Sequence, residues 1–407
     1  MSTAATKIRY YNWRGTNQAG RKVSGTTLGF QEQEVRHQLV EQKIVVKKIK
    51  KTSPSFLTKM RDQMKGEDVT AVTRQLATMI ESGVPVVQAL QLMASSYNKA
   101  EMRATLLQIT TQVESGASLS SAMRSSSPLF DKFFCDLVAT GEQTGHLGQV
   151  FSRIAIYREK NEAMRKKVIK AMIYPAMVTL TAVLVTVLML VFVIPQFAQI
   201  FSSFGAELPL FTQLVVHASD FLIAYGVYLG AGAGIAIFLY RYFYKKSDDF
   251  RYKANKFALK LPIFGDVLLK ATIARFARTL ATTFMAGIPL LSGIQSAGRT
   301  CGNLYIEKAI EEVYESTAGG MPLYLALRQS GVFPELMLQM VMIGEESGSL
   351  DDMLNKMAQI YEADVDNTVD NLGQILEPFI IIILGGLIGG LLVAMYMPIF
   401  TLMSVIG

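Results

Sequence analysis

The 407-residue sequence has little of what most catalytic and metal sites are made of: it holds two cysteines, three histidines and a single tryptophan. The histidines, His37, His146 and His217, are scattered along the chain, so they do not form the cluster that a zinc site requires. Cys135 and Cys301 fall at unrelated positions, and we expect both in the cytoplasm, where thiols stay reduced. Neither a disulfide framework nor a His/Cys metal centre is predicted.

Motifs for nucleotide and ion chemistry are missing as well. No G-x-x-x-x-G-K-[ST] segment occurs, which excludes nucleotide hydrolysis by a P-loop. The acidic run Glu362–Asp370 lacks the glycine that a calcium loop needs at its sixth position, so a solvated helix face explains it better. We therefore predict a protein that is not an enzyme, with no catalytic residue, no cofactor and no metal ligand.

What the sequence has in abundance is apolar residues, which make up 50% of the chain. Three stretches without a charge, at 172–194, 221–240 and 378–400, are each long enough to cross a hydrocarbon core of roughly 30 Å at about 1.5 Å per residue. We interpret them as transmembrane helices. Met1–Lys51 is polar and has no signal peptide, so the amino terminus is expected to stay in the cytoplasm.

The distribution of Lys and Arg predicts the orientation of these spans. Six basic residues lie in Arg158–Lys170, none in Pro195–Tyr240, and they return from Arg241 onward. By the positive-inside rule, the loop 195–220 and the tail 401–407 are periplasmic. The flank Ile360–Glu377 disagrees, because it is acidic and has no basic residue, but acidic residues weigh little in this rule.

The sequence also repeats itself. GEQTGHL at Gly141–Leu147 returns as GEESGSL at Gly344–Leu350, and RQLATMIESGVP, which begins at Arg74, aligns with RTLATTFMAGIP, which begins at Arg278. The offset between the halves is 204 residues upstream and 203 downstream, and such colinearity indicates a duplication. Each half is predicted to hold a cytoplasmic domain of about six helices, at 67–171 and 241–377. In the first half the helices are expected near 68–82, 85–97, 99–115, 118–125, 129–143 and from 146 into the first span.

The repeated phrase is interpreted as a corner between two helices. Gly348 would end one helix, while Ser349 and Asp352 would form a capping box at the start of the next. Because a turn does not require the glutamates, we predict an ion pair that braces each domain, between Glu142 and Arg74 in the first and between Glu345 and Arg278 in the second. The candidate structural or partner-contact residues are Arg74, Glu142, Arg278, Glu345, Glu346, Asp351 and Asp352.

Glycines recur at helical spacing in two of the spans, where they permit close approach of helix backbones. The sequence leaves packing within the chain and self-association equally open. The candidate packing residues are Gly226, Gly230, Gly234, Gly385, Gly386, Gly389 and Gly390.

Residues 1–66 lie outside the repeat and predict a small α+β module. Two alternating segments surround TNQAG in a hairpin pattern, followed by a helix at Phe30–Gln42, a strand at Ile44–Ile49 and a linker at Ser53–Gly66. The module has 14 Lys/Arg and 4 Asp/Glu, a net charge of +10. No nucleic-acid motif accompanies this charge, so an anionic lipid surface or an acidic partner is favoured over nucleic acid. Residues 271–377 have 6 Lys/Arg and 14 Asp/Glu, a net charge of −8. We therefore expect the two cytoplasmic regions to face different partners, the acidic domain with Glu311, Glu312 and Glu315 toward a basic surface. Contact between the two charged regions stays open as an alternative.

Together these patterns predict a mainly α, polytopic membrane protein: two repeated cytoplasmic six-helix bundle domains, three transmembrane helices and the basic amino-terminal module. The motifs GVP and GIP, the two corners, KLPIFG (Lys260–Gly265), FGAELP (Phe204–Pro209) and the closing EPFI…GGLIGGLLVAMYMPIF resemble the PilC/GspF family. This family comprises inner-membrane platform proteins of type IV pilus and type II secretion machines, and the resemblance is greatest to its pilus branch.

The resemblance implies a non-enzymatic scaffold in the bacterial inner membrane. Its implied partners are hexameric assembly and retraction ATPases, pilin subunits, inner-membrane alignment proteins, lipids and further copies of the chain. The secretion-system branch, which assembles a pseudopilus, stays open as an alternative. A transporter is a distant one, since repeats with spans also build carriers.

Overall fold

The computed structural model describes residues 9–18, 20–29, 32–41, 43–52, 62–203, 209–262 and 264–406. Predicted features outside these ranges are Ile8 and Ala19 of the hairpin, both ends of the 30–42 helix, residues 53–61 of the linker, residues 204–208 of FGAELP, Ile263 of KLPIFG and Gly407 of the tail. The chain forms two compact units. The first contains residues 1–162, 275–301 and 309–358, and the second contains residues 163–274, 302–308 and 359–407.

The amino-terminal module is a three-stranded antiparallel sheet in the order β2-β1-β3, as the hairpin and strand patterns predicted. Its elements are β1 (Arg9–Thr16), β2 (Lys22–Gly29), α1 (Glu32–Glu41) and β3 (Val45–Thr52). Tyr11 and Trp13 of the central strand pack with Val35 and Leu39 of the helix to form a small core. β3 is an edge strand, and the exposed side chains of Lys47, Lys48, Lys50 and Lys51 lie along it.

The first bundle has the predicted helices. They are α2 (Gly66–Glu81), α3 (Val86–Ser96), α4 (Ala100–Glu114), α5 (Leu119–Ser126), α6 (Lys132–Thr144) and the start of α7 (Leu147–Leu188). The apolar side of α2 is buried: Val69, Val72 and Leu76 are at most 1% exposed, and they belong to one core with Phe134 and Phe151.

The second bundle repeats this order, preceded by the short helix α10 (Asp248–Ala258). Its helices are α11 (Phe264–Met285), α12 (Leu290–Thr300), α13 (Leu304–Ala318), α14 (Leu323–Ser330), α15 (Glu335–Ser347) and the start of α16 (Leu350–Ile406). The GVP and GIP turns have the same geometry, with left-handed Gly83 (φ 86°) and Gly287 (φ 80°). Only glycine adopts this conformation without strain, which explains its presence in both copies.

The two bundles contact each other within the first unit. Ile288 and Ala286 of the second bundle pack against the core of the first. The hydroxyl of Thr279 donates to the hydroxyl of the buried Tyr157 at 3.1 Å, and the Lys132 ammonium donates to the Gln295 side chain at 3.1 Å. The second bundle therefore covers part of the apolar core of the first.

Three helical stretches are long and apolar enough to cross a membrane, which confirms the three predicted spans. They lie within Leu147–Gln199, Leu210–Lys246 and Leu350–Met397. The first and third continue from the last helix of each bundle without a break, and α7 passes through Pro175. The region predicted as a periplasmic loop is largely helical, comprising α8 (Ile194–Ser203) and the first turns of α9 (Leu210–Lys246), which Pro209 precedes.

A π-helical turn, Met189–Val193, separates α7 from α8, and Pro195 explains it. The Leu190 carbonyl would normally accept from the N–H of Ile194, but that N–H donates to Met189 instead. The following residue, Pro195, has no N–H to offer. Ser219 of α9 is fully buried, and its hydroxyl donates to the Leu190 carbonyl. A side chain of the second span thus satisfies the backbone acceptor that the proline leaves open.

Ion pairs join three acidic side chains in the flank of the third span to lysines of other helices. Within the second unit, the Lys167 ammonium lies 3.4 Å from an Asp366 oxygen and 2.8 Å from an Asp370 oxygen. Lys270 is 2.9 Å from Asp266 and 3.9 Å from Asp364. Beside these pairs, a small apolar cluster joins the three helices: Val267, Val365, Val369 and Leu372, with Met164, Val168, Ala171 and Ala271 against them. The acidic flank therefore reflects pairing with basic flanks of the other helices.

Candidate functional site: the repeated corner

The four positions that are identical in GEQTGHL and GEESGSL each have a structural role. The second glycine ends the fifth helix of its bundle in the left-handed conformation, with φ 74° at Gly145 and 71° at Gly348. In the second corner the N–H of Ser349 donates to the Gly344 carbonyl at 3.0 Å, which closes the turn. The prediction that Gly348 ends a helix is confirmed.

The first glycine lets the next helix approach closely. A Cβ atom on Gly344 would lie 2.9 Å from the Leu350 Cα, and one on Gly141 would lie 3.0 Å from a methyl group of Val150. Leu350, the first residue of α16, is 5% exposed and covers Gly344. The repeated glycine and leucine are therefore a packed pair at the corner.

The glutamate binds the start of the fourth helix of its own bundle. The Glu345 carboxylate accepts from the N–H of Leu323 at 2.7 Å and from that of Tyr324 at 2.9 Å. In the first bundle, Glu142 accepts from the N–H of Leu119 and, at 3.0 Å, from that of Ser120. The first N–H groups of a helix have no partner in that helix, and the helix dipole favours a negative charge there. The repeated carboxylate is thus a helix cap supplied by another helix.

The predicted ion pairs between Arg74 and Glu142 and between Arg278 and Glu345 are wrong. Arg74 instead makes a two-bond pair with Glu159 of α7, with Nε–Oε1 and Nη2–Oε2 distances of 2.7 and 2.6 Å. The hydrogen bond from Arg74 lowers the pKa of the Glu159 carboxyl and raises the pKa of the guanidinium. Arg278 donates to the Asn355 side chain. The glutamates are already occupied by backbone N–H groups, which explains the different pairing.

The capping box predicted for Ser349 and Asp352 is not what closes the corner. The Ser349 hydroxyl lies 2.6 Å from the Ser347 hydroxyl. Asp351 and Asp352 stand in the first turn of α16, where their charge is favourable to the helix dipole. Glu346 and Asp352 are exposed. Contact of these residues with a partner remains a prediction.

The glycines of the spans divide into two groups. A Cβ atom on Gly390 would lie 3.7 Å from the Phe211 ring, and the adjacent hydroxyl of Thr212 donates to the Ala394 carbonyl at 2.9 Å, so this part of α16 packs on the start of α9. Near Gly226 only Leu222 of the same helix lies within 4 Å, at 3.9 Å. The remaining glycines have no atom of the described chain within 4 Å of a built Cβ: Gly230, Gly234, Gly385, Gly386 and Gly389.

Part of the acidic surface that is expected to face a partner lies on α13. Glu311, Glu312 and Glu315 are exposed, and none of them forms an ion pair with a described residue. The sequence signal was their spacing, since positions i, i+1 and i+4 share one side of a helix. Glu159 was missed as the partner of Arg74, although its repeat position, 203 residues later, is also a glutamate, Glu362.

Both cysteines are buried. Burial raises the pKa of the Cys135 thiol to about 11, which leaves it unreactive at neutral pH. Among the described residues, no group of three or more His, Cys, Asp or Glu side chains is arranged to hold a metal ion.

The class that this fold defines is a membrane protein with three apolar helices and the same helical bundle twice. The profile of the family "Type II secretion system (T2SS), protein F" matches residues 72–195 and 276–398, one segment in each half. The chain belongs to this family, which confirms the resemblance to PilC/GspF proteins. The starts of the matched segments are 204 residues apart and their ends 203 apart, the offsets of the sequence repeat.

Curated relatives align along nearly the whole chain. The type IV pilus assembly protein TapC of Aeromonas hydrophila is 45% identical over 99% of this chain and 98% of its own length. The type IV pilus assembly protein PilC of Pseudomonas aeruginosa is 42% identical over 92% of this chain and 100% of its own. The type II secretion system protein F of Vibrio cholerae is 32% identical over 96% and 97%, respectively.

Proposed function

We propose that this protein is the non-enzymatic inner-membrane platform of a type IV pilus machine. In this role it couples cytoplasmic assembly and retraction ATPases to the insertion and removal of pilin subunits. The observation that carries the proposal is the identity of 45% and 42% to two type IV pilus assembly proteins over nearly the full chain, compared with 32% to a secretion protein F.

The continuity of two helices supports a mechanical role. Phe151 and Ile154 belong to the core of the first bundle, and the same helix, α7, extends to Leu188. Leu354 and Met357 are buried near the start of α16, which extends to Ile406. A displacement at the cytoplasmic end of either helix would travel along a hydrogen-bonded backbone with no intervening loop.

The proposed orientation has both bundles in the cytoplasm and the carboxyl terminus in the periplasm. The ion pairs of Lys167 with Asp366 and Asp370 support it, because they join the segments that lead into the first and third spans. To test the orientation, single cysteines are introduced in a cysteine-free chain at exposed positions, His217→Cys and Ser347→Cys. A membrane-impermeant maleimide should label the first variant in intact spheroplasts and the second only after lysis; the reverse pattern refutes the orientation.

The acidic face of α13 is proposed as a docking surface for a basic surface of the motor. Complementary charge speeds encounter and selects partners more than it adds affinity. The triple change of Glu311, Glu312 and Glu315 to Lys should reduce capture of the purified motor ATPase and weaken its salt dependence, while the oligomer stays intact. The same change at Glu32, Glu34 and Glu41 in α1 is the control. Loss of the oligomer with unchanged motor binding would make this face an assembly surface instead.

The basic edge strand β3 is proposed to face anionic lipid or an acidic protein. Its lysines also protect an open sheet edge from pairing with other strands, a role that needs no partner. Vesicle flotation with and without anionic lipid separates the two roles, since the protective role predicts no lipid dependence.

A deletion strain tests the pilus function directly. Loss of surface pilin with normal export of type II substrates supports the proposal. Loss of secretion with intact pili would assign the protein to the secretion branch, whose relatives align at about one third identity.

A further inference from the structure

A cavity of about 430 Å³ lies within the first unit, where the first and second bundles meet. Its walls come from the start of α6, the cytoplasmic part of α7, α11 and the end of α12. The cavity has a volume in the range of small-molecule sites. It plays no part in the function proposed above, so the inference that follows stands independently of that function.

The charges around the cavity are unbalanced. Four basic side chains line it, Lys132, Arg158, Arg275 and Arg299, against two acidic ones, Asp131 and Glu162. Both carboxylates also accept hydrogen bonds from other groups of the protein. Asp131 caps α6 by accepting from the N–H of Phe134 at 2.8 Å, and Glu162 accepts from the Thr70 hydroxyl.

Lys132 and Arg299 have no carboxylate partner within the described part of the chain, whereas the Asp131 and Glu162 carboxylates are near enough to Arg158 to favour its charged form. Lys132 donates to the neutral side chain of Gln295, and Arg158 donates to the Thr70 hydroxyl at 3.2 Å and the Leu129 carbonyl at 3.4 Å. Arg299 forms no hydrogen bond or ion pair with a described residue. Burial lowers the pKa of the Arg158 guanidinium, and the nearby carboxylates of Asp131 and Glu162 act in the opposite direction. Lys132 and Arg299 are exposed and line the same cavity, and like charges that line a cleft attract an ion of opposite charge.

The rest of the lining suits an organic anion better than a bare ion. Phe133 and Tyr157 lie against each other at a centroid distance of 4.8 Å and give the cavity an aromatic wall. Ser296 and Asn161 add polar groups beside the cations. Guanidinium groups bind phosphate oxygens with two parallel hydrogen bonds, and apolar walls accommodate a ring.

We propose that this cavity binds a phosphate-bearing small molecule of about nucleotide size. The ligand would contact both bundles at once, because Lys132 and Arg158 belong to the first and Arg299 to the second. Its phosphate would neutralise these cations, and binding would strengthen the association of the two bundles.

Isothermal titration of the full-length protein in mild detergent tests this inference, with ADP and inorganic pyrophosphate as the probes. We expect binding of at least one probe, weaker at 500 mM than at 50 mM salt, since exposed charges are screened. Arg299→Glu and, separately, Lys132→Glu should each reduce the affinity about tenfold or more, an effect typical of one lost charged contact. Neither residue is buried, so both variants are expected to fold.

Arg103→Glu is the matched control, because Arg103 is an exposed helical arginine without an ion pair to a described residue and lies outside the cavity. It should bind the probes like the unchanged protein. Absence of binding by both probes overturns the proposal, and so does equal weakening by Arg103→Glu and Arg299→Glu. If the probes do not bind but Arg299→Glu releases the motor protein, the cavity receives an acidic protein segment, and the small-molecule assignment is wrong.

Discussion

Replacing Glu345 by glutamine tests whether the repeated corner exists to cap a helix. Pro322 precedes α14 and has no side-chain group that could accept from its N–H groups, so the Glu345 carboxylate is the cap for Leu323 and Tyr324. Glutamine keeps one acceptor oxygen and loses the charge. A hydrogen bond to a charged group contributes about 1.5–3 kcal/mol, so we expect a local loss of that size.

Hydrogen–deuterium exchange of the full-length protein measures this loss where it occurs. Because about 1.4 kcal/mol corresponds to a tenfold change in an equilibrium, the amides of Leu323 and Tyr324 should exchange roughly ten to a hundred times faster in Glu345→Gln. The first bundle offers an internal comparison: the Ser118 hydroxyl also accepts from the N–H of Ser121, at 3.3 Å, so Glu142→Gln should loosen α5 less.

Glu346→Gln is the control for this experiment, since it removes the neighbouring charge from an exposed side chain. It should leave exchange at the start of α14 unchanged. If Glu345→Gln and Glu346→Gln have the same effect, the carboxylate does not hold this helix. Contact with a partner protein would then be the better interpretation of Glu345.

Three further changes test other contacts. Asp68 accepts from the Lys99 ammonium at 2.6 Å, from the Tyr97 hydroxyl at 3.1 Å and from a backbone N–H; burial alone would raise its pKa, but these bonds lower it below 3.8 overall. Asp68→Asn should therefore destabilise the first bundle by about 1–3 kcal/mol in urea unfolding at pH 7. The difference in the free energy of unfolding between the two proteins should shrink only below pH 3.8, because the carboxyl of the unchanged protein is then protonated. Lys167→Glu should lower the thermal stability of the detergent-solubilised protein and make it rise with salt, whereas a salt-independent loss would argue against the ion pairs. Gly386→Leu should leave thermal stability unchanged, because no described residue of another helix lies within 4 Å of a Cβ there, but should reduce cross-linking between copies if this face self-associates. Leu391→Ile is the control, and equal cross-linking in both variants would remove the packing interpretation.

Local and periodic features of the sequence were sufficient to predict the elements of the sheet module, the bundles and the spans, but not α8, the start of α9 or α10. The helices of both bundles, the sheet module and the three spans follow from apolar spacing, from glycines that end helices and from the length of uncharged stretches. The duplication strengthened each of these predictions, because matching segments such as GVP and GIP are separated by the same offset as the rest of the repeat. The π-helical turn also has a cause in the sequence, because Pro195 has no backbone N–H.

The partners of polar side chains were decided by the tertiary structure. Glu142 and Arg74 have counterparts at the same repeat positions of the second half, Glu345 and Arg278. Their opposite charges favoured the prediction of an ion pair. The Glu142 carboxylate instead binds two backbone N–H groups of another helix. Helix crossing determines which donors come within reach, and those donors have no sequence signature, because every helix start exposes them. The acidic flank of the third span is a second example, because Asp366 and Asp370 form ion pairs with Lys167, which lies on a helix about two hundred residues earlier. The cavity between the bundles likewise depends on how α7 and α12 meet, a relation that spacing along one helix does not contain.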